Sequence, residues 1–196
     1  MIGLIPKLLV DFVAREGGEG AAERALICAG VAPERHYRLD SPYDDGEVQR
    51  LWAACVAELG LSPCDFEQRF AVYFGEDARQ RWPAWFRLSS SARAFLLRQP
   101  AIHNSLATGL QDPAERRRVA DKFRIEALTD SIVVHYRSPH RLCGLYMALA
   151  RWVLAQYGER ASVEEIACRD DGAQECEIHV RWAKAEGGSM TERGAR

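Results

Sequence analysis

The stretch Ser131–Leu145 (SIVVHYRSPHRLCGL) concentrates the side chains of this sequence that are most able to do chemistry. A strand-like run closes on Tyr136-Arg137-Ser138, and Pro139 then starts a helix that carries Cys143 within two turns. Residues i and i+2 of a strand share a face, so the Tyr136 and Ser138 hydroxyls point the same way and suit two hydrogen bonds to one carboxylate. Arg137, His140 and Arg141 surround that junction with basic groups. Such a cluster suits an anionic ligand held beside an apolar core. Upstream, His103 lies just past Pro100, where a helix end can aim an imidazole inward as a metal ligand. Together these residues point to a bound cofactor. Each also has a plainer reading, as an ordinary strand end and an ordinary histidine.

A second constellation is made of thiols. Cys143, Cys168 and Cys176 are of the type that binds zinc, which prefers four ligands in a closed structural site. They serve equally as a redox pair or as small apolar core groups. His179 follows Cys176 by three residues, which on a strand turns it to the opposite face. Cys28, Cys55 and Cys64 fall on helical patterns and read as core, as do Trp52, Trp82 and Trp85. Asp44-Asp45 reads as a solvated acidic turn.

These residues need elements to position them. Ile2, Ile5, Leu8, Leu9, Phe12 and Val13 recur at helical spacing over 2–15, and Gly17-Gly18 stops them. Short helices are expected at 20–30, at 47–59 and from Ser62-Pro63 to about Tyr73 or Phe74. Residues 33–46 read as a polar loop. An aromatic helix over 76–87 is split by Pro83, and Ser89–Ser91 caps the next one, which Pro100 interrupts. After a polar stretch, Gln111–Asp121, the period changes to two. Lys122–Leu128 and Ser131–Arg137 form a hairpin, Pro139–Tyr157 a helix, and Ser162–Cys168 and Gln174–Trp182 two more strands. The expected class is α+β, an N-terminal helical half followed by ββαββ with one four-stranded antiparallel sheet.

Composition narrows the function. With 47% hydrophobic residues and 196 positions, the chain can bury a real core. A net charge of −2 gives no footprint for nucleic acid or an anionic membrane surface. No apolar run approaches the ~20 residues of a membrane span. Six cysteines are too sparse for a disulfide scaffold, and Met1-Ile2-Gly3 leads straight into a helix, so a cytoplasmic protein with reduced thiols is expected. There is no nucleophile elbow, phosphate loop or paired acid–base motif, and no enzyme activity is expected.

In this order, the residues resemble the heme nitric oxide/oxygen binding (H-NOX) family, bacterial stand-alone type. The opening Met1-Ile2-Gly3-Leu4-Ile5-Pro6-Lys7-Leu8-Leu9 is similar to the family's first helix. His103 stands where the family places its proximal heme ligand, and Tyr136-x-Ser138 resembles the start of its Tyr-x-Ser-x-Arg propionate motif. The arginine of that motif would fall at position 140, which is His140 here, with Arg141 next to it and about 100° away if both are helical. Histidine offers fewer donors than the fork of a guanidinium.

The resemblance implies one domain over 1–182: a distal helical part (1–60), proximal helices and sheet (61–182), then a flexible tail (183–196). It implies heme b between the two halves, with Ile5, Leu9 and Leu145 on the distal side. Oxygen-holding members carry a tyrosine at the position of Leu145, and leucine cannot donate to bound O2. The implied ligands are therefore nitric oxide and CO, with O2 disfavoured. Bacterial members with zinc resemble this chain at Cys143, Cys168 and Cys176, but Glu165 stands where they have a histidine. The implied output is a partner in trans, a histidine kinase or a cyclic-di-nucleotide enzyme. The alternatives are a zinc or thiol redox sensor built on the cysteines with weak or lost heme binding, and a simple heme carrier.

Overall fold

A computed structural model describes residues 1–110, 112–120 and 122–183. The helices are α1 (Leu4–Gly17), α2 (Ala21–Cys28), α3 (Asp45–Leu59), α4 (Pro63–Arg81), α5 (Pro83–Arg87), α6 (Ala92–Leu97), α7 (Gln99–Ala107) and α8 (Pro113–Ala120). The strands β1 (Phe123–Ala127) and β2 (Ser131–Tyr136) follow, then α9 (Cys143–Gln156), β3 (Ala161–Ala167) and β4 (Cys176–Trp182). The expected α+β class and ββαββ order are observed.

Local chemistry explains the boundaries. The Asp44 carboxylate accepts from the Glu47 N–H at 2.8 Å and starts α3. Ser62 accepts from Asp65 N–H at 3.1 Å, and Pro63 occupies the first turn of α4. Pro83 ends α4 at Trp82 and opens α5, so 76–81 belong to α4 rather than to a separate aromatic helix. Pro100 sits in the first turn of α7, which places His103 one turn inside that helix.

Two corrections concern the connectors. The polar stretch expected after α7 contains α8; its end residues Gln111 and Asp121 lie outside the described residues, as do 184–196 of the expected tail. The helix expected from Pro139 begins only at Cys143. Arg141 takes a left-handed φ of 53°, which a helix cannot accommodate. Two of the cysteines expected in the core, Cys28 and Cys64, are exposed.

The sheet order is β1-β2-β4-β3, antiparallel throughout. Ile132, Val134 and Tyr136 of β2 face inward with their partners Val180, Ile178 and Cys176 of β4. Tyr136 thus stands beside a thiol, and the carboxylate-type cluster and the cysteine cluster are neighbours. Two apolar cores result. One joins α1, α2 and α3, and reaches past residue 60 to Phe66 and Phe70 of α4, and to Leu145 of α9. The other joins the sheet to α6, α7 and the remaining face of α9, including Tyr146. The two meet along α9. Gly75 of α4 lets the two helices touch there: a Cβ would stand 2.5 Å from the Trp152 indole.

Candidate functional site

Between the two cores lies an apolar cavity of about 1150 Å³, mouth included. Ile5 of α1, Phe74 of α4, His103 of α7, Phe123 of β1, and Leu145 and Tyr146 of α9 line it. Its wall is almost wholly apolar, so the few polar groups on it stand out. The His103 ring leans on Phe123 with centroids 4.6 Å apart. Burial drives its pKa down to about 4, and the charge of Lys122 pushes the same way. The imidazole is therefore neutral at pH 7 and able to coordinate a metal.

The cavity's other polar end forms where β2 runs out. Tyr136 is buried on the wall, and its hydroxyl bonds with Ser138 and with the Leu142 backbone. Ser138 is buried behind it and accepts from the His140 N–H at 3.3 Å. His140 is 7% exposed, and both of its ring nitrogens lack a hydrogen-bond partner. Its Nε2 lies 3.1 Å from Asp45 Oδ1, near enough to pair when charged but out of line for a hydrogen bond. Burial, assisted by Lys122, pushes the His140 pKa down, and Asp45 opposes the shift. Asp45 also accepts from the Met1 ammonium at 2.6 Å. Burial raises the Asp45 pKa, but that ammonium outweighs it and holds the carboxyl below its ordinary range. Asp45 is thus no solvated turn residue, which corrects that expectation; Asp44, the cap of α3, is nearer to one.

The remaining expected residues are dispersed. Leu145 and Ile5 line the cavity, whereas Leu9 is packed inside the N-terminal core. The Arg141 guanidinium is turned outward to Asp170 at 2.7 Å, away from the main cavity, a direct result of its left-handed backbone. Arg137 likewise pairs outside with Glu175 at 3.0 Å. Sequence reasoning missed Asp45, Lys122, Phe123 and Tyr146. Only the last had a signal, standing one residue from Leu145.

The thiols do assemble. Cys143 Sγ lies 3.8 Å from Cys168 Sγ, which lies 4.0 Å from Cys176 Sγ, so all three are free thiols. With a carboxylate oxygen of Glu165, their ligand atoms all fall within 4.8 Å of one another. Glu165 Oε1 is buried without a partner. Burial and the nearby Glu165 push the Cys143 thiol up, and burial raises Glu67, which packs against Gly144 beside the cluster. His179 bonds to Glu177 at 2.6 Å on the other face of the sheet, as its spacing implied.

The sequence profile of the Haem-NO-binding family matches residues 2–165, and the chain belongs to that family. Membership supports a heme-based sensor of diatomic gases, in a family of sensors rather than enzymes. The fold is shared with solved H-NOX proteins. One from S. oneidensis, in the Fe(II)NO state, is 18% identical with a TM-score of 0.78, over 93% of this chain and 99% of that one. An oxygen-binding H-NOX domain related to soluble guanylate cyclases is 17% identical with a TM-score of 0.71, over 93% and 95%. A Cs H-NOX variant is 18% identical with a TM-score of 0.75, over 95% and 98%. No curated protein sequence matches the chain. No helix among the described residues is long and apolar enough to cross a membrane.

The residues present fit a heme. The cavity is apolar, a neutral imidazole faces it, and His140 and Tyr146 bring buried polar atoms without partners to its wall.

Proposed function

We propose that this chain holds heme b in the cavity with His103 as the proximal ligand and senses nitric oxide, with CO as a second ligand and O2 rejected. The carrying observation is His103, a neutral, half-buried imidazole on the wall of a largely apolar cavity. When bound, heme supplies the iron at which a diatomic gas is held. His103 would hold the iron through a ring nitrogen, and Tyr136, Ser138 and His140 would receive the propionate end. Ile5 and Leu145 offer no donor to a bound gas, so oxygen gains no hydrogen bond there. His103 would tie the bound group to α7, which packs on α8 and β1, so a change in that tie would be felt by those elements. A partner in trans, a histidine kinase or a cyclic-di-nucleotide enzyme, reads that surface as a shift between two packings. The domain runs over 1–182 and acts in the cytoplasm.

Cys143, Cys168, Cys176 and Glu165 hold a structural zinc in this reading, tying α9 to β3 and β4. The unpartnered Glu165 oxygen among three thiols favours a metal over a disulfide. The absorption spectrum of reduced, hemin-reconstituted protein under argon, then with NO, then in air, tests the main reading. A five-coordinate ferrous spectrum that responds to NO, ignores air and is lost in His103→Gly is expected. A Soret band indifferent to His103, or none at all, overturns it and leaves a thiol sensor.

A further inference from the structure

Tyr146 is buried on the cavity wall, and its hydroxyl has no hydrogen-bond partner among the described residues. A buried hydroxyl left unpaired is costly and rare in native proteins, so its partner belongs to whatever fills the cavity. Its position says which end of that guest it meets. The Phe123 ring stands between Tyr136 and Tyr146, with centroids 4.9 and 5.3 Å away. Tyr146 lies in the first turn of α9, its N–H donating to Leu142 O at 3.0 Å, and helical side chains lean back toward the N-terminus. Tyr146 thus shares the Phe123 ring with Tyr136 and the cavity wall with Tyr136 and His140, at a helix start that carries no side-chain cap. It belongs to the sheet-side core, whereas Leu145 belongs to the N-terminal core.

We propose that the Tyr146 hydroxyl donates a hydrogen bond to a carboxylate of the guest, supplying part of what an arginine at position 140 would have given. The inference rests on the heme reading of the cavity. It fits the outward turn of Arg141, which leaves this end with single donors rather than a guanidinium fork.

Equilibrium binding of hemin and of hemin dimethyl ester to apoprotein separates carboxylate contacts from shape. Tyr146→Phe should loosen hemin about tenfold, the size of a lost bond to a charged acceptor, and loosen the ester, whose neutral carbonyl accepts a weaker bond, by clearly less. Adding His140→Arg to Tyr146→Phe should restore hemin affinity. Equal loosening of both porphyrins, or of neither, overturns the proposal, because the hydroxyl would then serve packing alone. Wild-type protein that takes up neither porphyrin defeats the heme reading itself, a distinct result.

Discussion

Two pairs of histidines divide this molecule. His103 and His140 line the cavity, their pKa values driven down by burial, and His140 lacks a hydrogen-bond partner on either nitrogen. His135 and His179 lie on the outer face of the sheet and are clasped by carboxylates, His135 by Glu175 at 3.0 Å and His179 by Glu177 at 2.6 Å. The strand β2 makes the contrast within two residues, turning His135 out and Tyr136 in. Polar groups that satisfy one another close a surface. His135 keeps one bare ring nitrogen, Nε2, but its other is held by a carboxylate, whereas neither nitrogen of His140 has a hydrogen bond, and both His103 and His140 stand on an apolar wall.

The largest effect should come from exchanging members of the two pairs. His103→Gly should remove axial ligation of ferrous heme entirely, with added imidazole restoring it, while His179→Ala leaves the spectrum as it was. Equal loss in both would erase the contrast.

Leu145→Tyr should come next, by giving the N-terminal-core side of the cavity a donor. An oxygen complex stable in air should form where wild type shows none, and its absence would mean that Leu145 does not face the gas.

The seam between the cores offers a stability test. Gly75→Val forces a side chain into the Trp152 ring, and overpacking of this kind costs about 1–3 kcal/mol. Urea unfolding should report it, and an unchanged midpoint would mean that α4 and α9 are looser than they look.

Cys168→Ser should abolish stoichiometric zinc, read by metal analysis, and lower the melting temperature only of protein purified with zinc. On the outer face, Glu175→Ala should change stability by less than about 0.5–1 kcal/mol, because exposed ion pairs contribute little.

Much of this was legible in the sequence, for reasons that differ by residue. Pro100 reads in the sequence as an interruption just before His103, and the structure shows it opening α7, with His103 one turn inside that helix. The period-two alternation of SIVVHY fixed which side chains of β2 face the core, and with it Tyr136. Helix α8 (PAERRRVA) was hidden because it has almost no apolar face, although a proline at its head was a signal. Arg141 was misplaced because a left-handed arginine follows no local rule, and its partner Asp170 is far along the chain. The approach of Asp45 to His140 joins positions nearly half the sequence apart and has no periodicity to betray it. Tyr146 lies about 100° around α9 from Leu145, so rotation alone does not place the two on one wall. The cavity is wide enough to take both faces of α9, a fact of tertiary packing.

The first turn of α9 carries one consequence further. Cys143 belongs to the thiol cluster, Leu145 to one core and Tyr146 to the other, all within four residues. A single rigid turn cannot answer one of these neighbours without the others. Thermodynamic reciprocity then applies: whatever factor a metal at the thiols imposes on the affinity for a cavity guest, the guest imposes on the affinity for the metal. A chelator and a gas would act on this protein as effectors of one another.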